Sequence, residues 1–171
     1  MPCSRNFGFY LIAVLIALGA GWWGANGPTS AAWYESLNKP SYVPPGYIFS
    51  SVWVILFLLI AYAGYRGSVS LRSNRKLFVA WNSLFAIIMA LSIAFPFIFF
   101  KLRNMAAAFS IIIAYLVVVF IMICIVWRAD QTVAILLLPL LGWLIFSAFI
   151  QYQIWSLNPS TTAEILANTS E

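Results

Sequence analysis

Five stretches of this chain run without a single Asp, Glu, Lys or Arg: residues 7–24, 47–65, 77–100, 104–127 and 132–155. A helix rises about 1.5 Å per residue, so crossing about 30 Å of hydrocarbon takes about 20 residues. Lipid offers no partner for a free backbone amide, so only helices and closed barrels span it. A barrel strand needs about 9–11 residues of alternating polarity, and none of these stretches alternates. The reading is therefore an all-α integral membrane protein, a five-transmembrane-helix bundle, with residues 1–158 as one membrane domain and 159–171 as a polar tail. The first stretch follows Arg5 as a leader peptide would, but it outruns a leader's apolar core of about 7–15 residues and reads as a span. Composition leaves no soluble alternative: 64% of residues are hydrophobic and 8% charged, against about 45–50% and about 25% in soluble domains.

The gaps between spans carry the charge. Arg5, Arg66, Arg72, Arg75, Lys76 and Arg128 fall on one face, and Lys39, Lys101 and Arg103 on the other. The positive-inside rule places the N-terminus in the cytoplasm and the 26–46 loop outside. Short basic loops of this kind mark a membrane protein in contact with lipid and do not form a nucleic-acid patch. The 26–46 loop exceeds the usual 2–8 residues of a helix connection. Ser30 is placed to cap a short helix, on which Trp33 and Leu37, four apart, share a face. Pro40, Pro44 and Pro45 then force an extended link. Long structured loops of this kind serve as lids or binding loops.

No ionisable side chain lies well inside any span, and the chain has no histidine. Proton-driven transporters mark their pathway with buried acids or histidines. Histidine is also the commonest general base and metal ligand. No metal, required cofactor or acid–base catalyst is therefore expected. The two cysteines, Cys3 and Cys124, form no motif. What remains is aromatic and mildly polar. Phe49, Trp53, Phe57 and Ile60 follow helical spacing on the second span; Pro139, Trp143, Phe146, Ser147, Ile150, Gln151 and Ile154 do so on the fifth. These stripes suit either plain helix packing or a flat apolar ligand whose edge meets Ser and Gln. Small residues recur every fourth position at Ala86, Ala90 and Ala94 on the third span, and at Ala13, Ala17 and Gly21 on the first. That spacing permits close backbone contact, within the bundle or between subunits.

The segment Trp33-Tyr34-Glu35-Ser36-Leu37-Asn38-Lys39-Pro40-Ser41-Tyr42-Val43-Pro44-Pro45 resembles the WYxxLxKPxWxPP signature of the TspO/MBR family, the tryptophan-rich sensory proteins related to the mitochondrial translocator protein. Val52-Trp53, Ile98-Phe99-Phe100 with Arg103-Asn104-Met105, the segment from Pro139 through Trp143 to Ser147, and Trp155-Ser156-Leu157-Asn158 resemble further family segments in the same order. The resemblance implies a five-helix bundle with a pocket under the first loop, and binding of porphyrins. In animal members it also implies cholesterol and synthetic drugs.

Carried over by position, Trp33, Tyr34, Pro40, Pro44, Pro45, Phe49, Trp53, Trp143 and Phe146 line or cap the pocket, with Phe57 continuing the stripe. The resemblance also implies a homodimer through Ala86, Ala90 and Ala94. Departures are Tyr42 for Trp, Ser92 and Phe95 for the polar residue and Trp of the third span, and Ser147 and Gln151 for Ala and Asn on the fifth. Ser156 stands where the animal sterol motif carries a basic residue. Tetrapyrrole recognition survives these changes better than sterol binding does. The favoured reading is a receptor or transporter-like sensor for a protoporphyrin-type ligand. The alternatives are light- or oxidant-dependent porphyrin breakdown with Trp53 or Trp143 as electron donor, and a scaffold that binds only lipid or sterol.

Overall fold

In the computed structural model, which describes residues 3–25 and 28–159, the side chains of 3–6 and 28–29 excepted, every regular element is helical. They are α1 (Cys3–Ala25), α2 (Pro28–Ser36), α3 (Gly46–Ser70), α4 (Arg75–Pro96), a π-helical turn (Phe97–Lys101), α5 (Met105–Val126) and α6 (Gln131–Leu157). Five helices among the described residues are long and apolar enough to cross a membrane, the π turn extending the third of them. The polar tail lies outside the described residues, apart from its first position.

Helix ends follow capping rather than charge. Asn74, Asn104 and Asp130 precede α4, α5 and α6, and each accepts a bond from a first-turn amide through its side chain. These oxygens satisfy donors that the helix itself cannot. Arg75 and Lys76, which the charge pattern leaves in a loop, are therefore helical. At the other end of α3, 25 residues rise about 37 Å, more than the ~30 Å hydrocarbon. The excess length accommodates Arg66 and Ser70 near its C-terminal end. There Arg66 Nε meets Asp130 Oδ2 at 2.7 Å and Ser70 Oγ donates to the same oxygen at 2.8 Å. The short helix begins at Pro28, so Ser30 lies in its first turn and does not cap it; Pro is favoured there because the missing N–H would have no partner anyway.

The spans form a closed ring in the order α1, α3, α6, α5, α4. Glycines decide how closely α1, α3 and α4 approach. A methyl on Gly67 would meet the Trp81 ring at 2.2 Å, and one on Gly64 would meet Phe85 at 2.6 Å. Trp81 is fully buried and donates from Nε1 to the Gly64 carbonyl at 2.9 Å. The C-terminal end of α1 touches α4 through Gly24, whose added Cβ would stand 2.8 Å from Pro96. Pro96 lacks the N–H that would continue the ladder, and the chain widens there into the π turn. Arg103 leaves it with φ 54°, in the left-handed region. The short helix α2 packs on this turn and on α1.

Candidate ligand-binding site

The aromatic stripes of α3 and α6 face each other. Phe49 lies 5.0 Å from Trp143, centroid to centroid, and Trp143 lies 5.5 Å from Phe146. Beside them a cleft of about 310 Å3 runs between the two helices, lined by Val52, Ile55, Leu56, Leu59, Pro139, Gly142, Trp143 and Phe146. Pro139 and Gly142 thin the α6 wall there: one removes a backbone donor and the other has no side chain. Trp53 pairs with the buried Phe57 on α3 at 5.6 Å and does not line the cleft.

Polar groups separate into used and unused. Gln151 Nε2 donates to the Met105 carbonyl at 3.2 Å and fastens α6 to the start of α5. The Ser92 hydroxyl lies 2.7 Å from the Ile88 carbonyl and 3.0 Å from the Tyr115 hydroxyl. Both residues are committed to helix contacts. Trp143 Nε1 and the Ser147 hydroxyl, one turn apart on α6, are buried with no hydrogen-bond partner among the described residues, as is the Ser30 hydroxyl. Leaving such a group unpaired costs about 1–3 kcal/mol, and a lipid surround supplies no water to relieve it.

The capping segment builds a second aromatic group. Trp33 and Leu37 are both buried, on one face as their spacing requires. Trp33 meets Phe99 of the π turn edge-on at 5.3 Å, and Tyr34 packs on Phe99 and Phe100. Phe95 stacks on Phe99 at 5.7 Å. Arg103 lies 5.7 Å from the Trp33 ring and Lys39 4.4 Å from that of Tyr34. Burial raises the Tyr34 hydroxyl above its ordinary pKa. Phe49 and Phe146 pack against this group as well as against Trp143, so they join the cap to the cleft. Pro40 and Pro44 are half-buried, and the exposed Pro45 leads directly into α3.

A clamp holds the cap at its far end. Asn38 N donates to Asn158 Oδ1 at 3.0 Å, and Asn158 Nδ2 donates back to the Asn38 carbonyl at 3.0 Å. Both asparagines lie inside the family-like motifs, where nothing in the residue pattern marks them as partners. Each asparagine sits among other polar residues, Asn38 beside Glu35, Ser36 and Lys39 and Asn158 after Gln153 and Ser156, and its partner stands 120 positions away.

Fold and site together define a multi-pass integral membrane protein with an aromatic cleft between two spans and a short helix capping one end. The chain belongs to the TspO/MBR family, whose model matches residues 10–156. It is 28% identical to the protein CrtK of Rhodobacter capsulatus over 90% of this chain and 92% of that one. It is 31% identical to the tryptophan-rich protein TspO of Chlorobaculum tepidum, over 77% of this chain and 84% of the relative. With the translocator protein of Ovis aries it shares 33% identity over 74% and 75% of the two chains.

Proposed function

We propose that this protein is a membrane receptor or transporter-like sensor that binds a flat, largely apolar tetrapyrrole of the protoporphyrin type between α3 and α6, beneath the cap. The unpartnered Trp143 Nε1 and Ser147 hydroxyl carry this reading. They are polar groups buried beside aromatic faces, and a ligand with an apolar plane and hydrogen-bonding edge atoms matches both features. Trp143 and Phe146 supply the cleft's aromatic faces, Phe49 packs on Trp143, and Trp53, which rests against Phe57, reaches the ligand as the cleft opens; Trp33, Tyr34 and the prolines close the end. A cleft of about 310 Å3 is at the small end of ligand pockets, roughly 300–1,000 Å3. Binding therefore parts Phe49 from Trp143 and lifts the cap. Membership of the family and the likeness to a translocator protein support a sensing or transporting role.

The test is titration of the detergent-solubilised protein with protoporphyrin, reading tryptophan fluorescence. Saturable quenching is expected, and it should be lost in a folded Trp53→Ala/Trp143→Ala variant. Trp143→Phe keeps an aromatic face and loses the N–H, so affinity should weaken by about 1–2 kcal/mol. Quenching that survives the double alanine change would overturn the site. Pigment recovered unchanged after illumination separates binding from breakdown.

A further inference from the structure

At the end of the bundle opposite the cap, α1, α3 and α4 leave a second cleft of about 250 Å3. Phe9, Tyr65, Val69 and Phe78 give it apolar walls, and Ser68 and Asn82 make part of its lining polar. These polar groups are organised: the Tyr10 hydroxyl donates to Asn82 Oδ1, and Asn82 Nδ2 donates to the Phe78 carbonyl at 2.7 Å and lies 3.4 Å from the Ser68 hydroxyl. Arg72 also lines the cleft. Arg75 stands three residues before Phe78 and seven before Asn82, so it heads the same stripe of α4. Both arginines are exposed, and neither is in an ion pair among the described residues, where the one aspartate, Asp130, is held by Arg66.

Cationic, apolar and polar groups meet here, with Arg72 and Arg75 outermost and Val69, Phe78, Ser68 and Asn82 further along the two helices. An anionic phospholipid presents groups complementary to all three: a phosphate, ester linkages and acyl chains. Guanidinium groups match phosphate geometry with paired donors, and basic pockets between spans are where anionic headgroups bind. We propose that this cleft is a binding site for an anionic phospholipid, its phosphate against Arg72 and Arg75, its ester region toward Ser68 and Asn82, and one chain along Phe9 and Val69. The site is separate from the α3–α6 cleft and does not depend on what that cleft binds.

The experiment is native mass spectrometry of the full chain, released from detergent after equilibration with equal amounts of phosphatidylglycerol and phosphatidylcholine of the same chains. Phosphatidylglycerol should be retained preferentially, on the order of tenfold at low salt for two cations near an anionic group. Arg72→Gln/Arg75→Gln should bring the two lipids close to parity. Should that variant not fold, Val69→Trp, at an exposed position lining the cleft, tests the same site by filling it and should lower retention of phosphatidylglycerol. Equal retention by the unaltered protein, or a preference unchanged in a folded variant, overturns the proposal. A competition arm with inorganic phosphate at constant ionic strength distinguishes the source of the anion. Displacement of the lipid would assign the site to free phosphate and overturn the lipid reading; retention supports it.

Discussion

Single atoms set the closest contacts in this bundle. Apolar surface gains nothing by leaving lipid for protein, so helices associate through packing and hydrogen bonds. Gly67 and Trp81 show what that demands. The indole lies where a Cβ would be, and its Nε1 bond to the Gly64 carbonyl leaves it no freedom to retreat. Gly67→Ala should therefore cost about 1–3 kcal/mol by overpacking and lower the thermal midpoint in detergent. Gly19→Ala, with no neighbour within 4 Å of the added carbon, should leave it unchanged or slightly raised. Equal midpoints for the two variants would refute the notch. None of this is legible in the sequence, because a glycine in a span reads the same whether it faces lipid or an indole. The same limit applies at Ser92 and Gln151. Both look like pocket residues until Tyr115 and Met105, 23 and 46 positions away, are seen beside them.

At the scale of elements, the spans could be read directly from gaps in charge, while their ends could not. Arg66 and Arg75 mark where the hydrocarbon stops; the helices continue because Asn74 and Asp130 provide caps and a salt bridge. Proline at position 96 is visible in the sequence, but whether it ends, bends or widens a helix depends on its neighbours, here Gly24. The α3–α6 junction also makes a pH prediction. Bonding from Arg66 holds the Asp130 carboxyl below its ordinary pKa. Its stabilisation is then full above the unfolded value of about 3.9 and is lost as pH falls through the lower folded value. The thermal midpoint should be flat from about pH 7 to 5 and fall below about pH 4. Asp130→Asn, which keeps the helix cap, should flatten that acid limb; an identical limb in the variant would exclude Asp130 as its source. At the other end of α6, Asn158→Ala removes two bonds to the cap, worth about 2 kcal/mol together. Amide exchange in residues 37–45 should accelerate while the spans stay protected. Unchanged exchange would mean that the aromatic contacts alone hold the cap.

For the whole molecule, the ring of five spans leaves one small-residue face unused. Ala86 and Ala90 are exposed on α4 and Ala94 is half-buried, whereas Ala17 of the other stripe is buried inside the bundle. Internal packing therefore accounts for Ala17 at the centre of the α1 stripe and leaves the α4 stripe open to a second copy. If subunits meet there, Ala90→Leu should push the backbones apart and shift crosslinking in mild detergent from dimer toward monomer. A dimer fraction equal to that of the unaltered protein would remove this face from the interface. The Asn38–Asn158 clamp also bears on biosynthesis. The anchor stands 120 positions after the cap's Asn38, beyond α6, so a growing chain exposes the aromatic end of the bundle until its fifth span is inserted. Insertion of the fifth span, rather than formation of the capping helix itself, is the event that first fastens the cap. A ribosome stalled before position 158 would hold a bundle with most of its walls and an unlatched door.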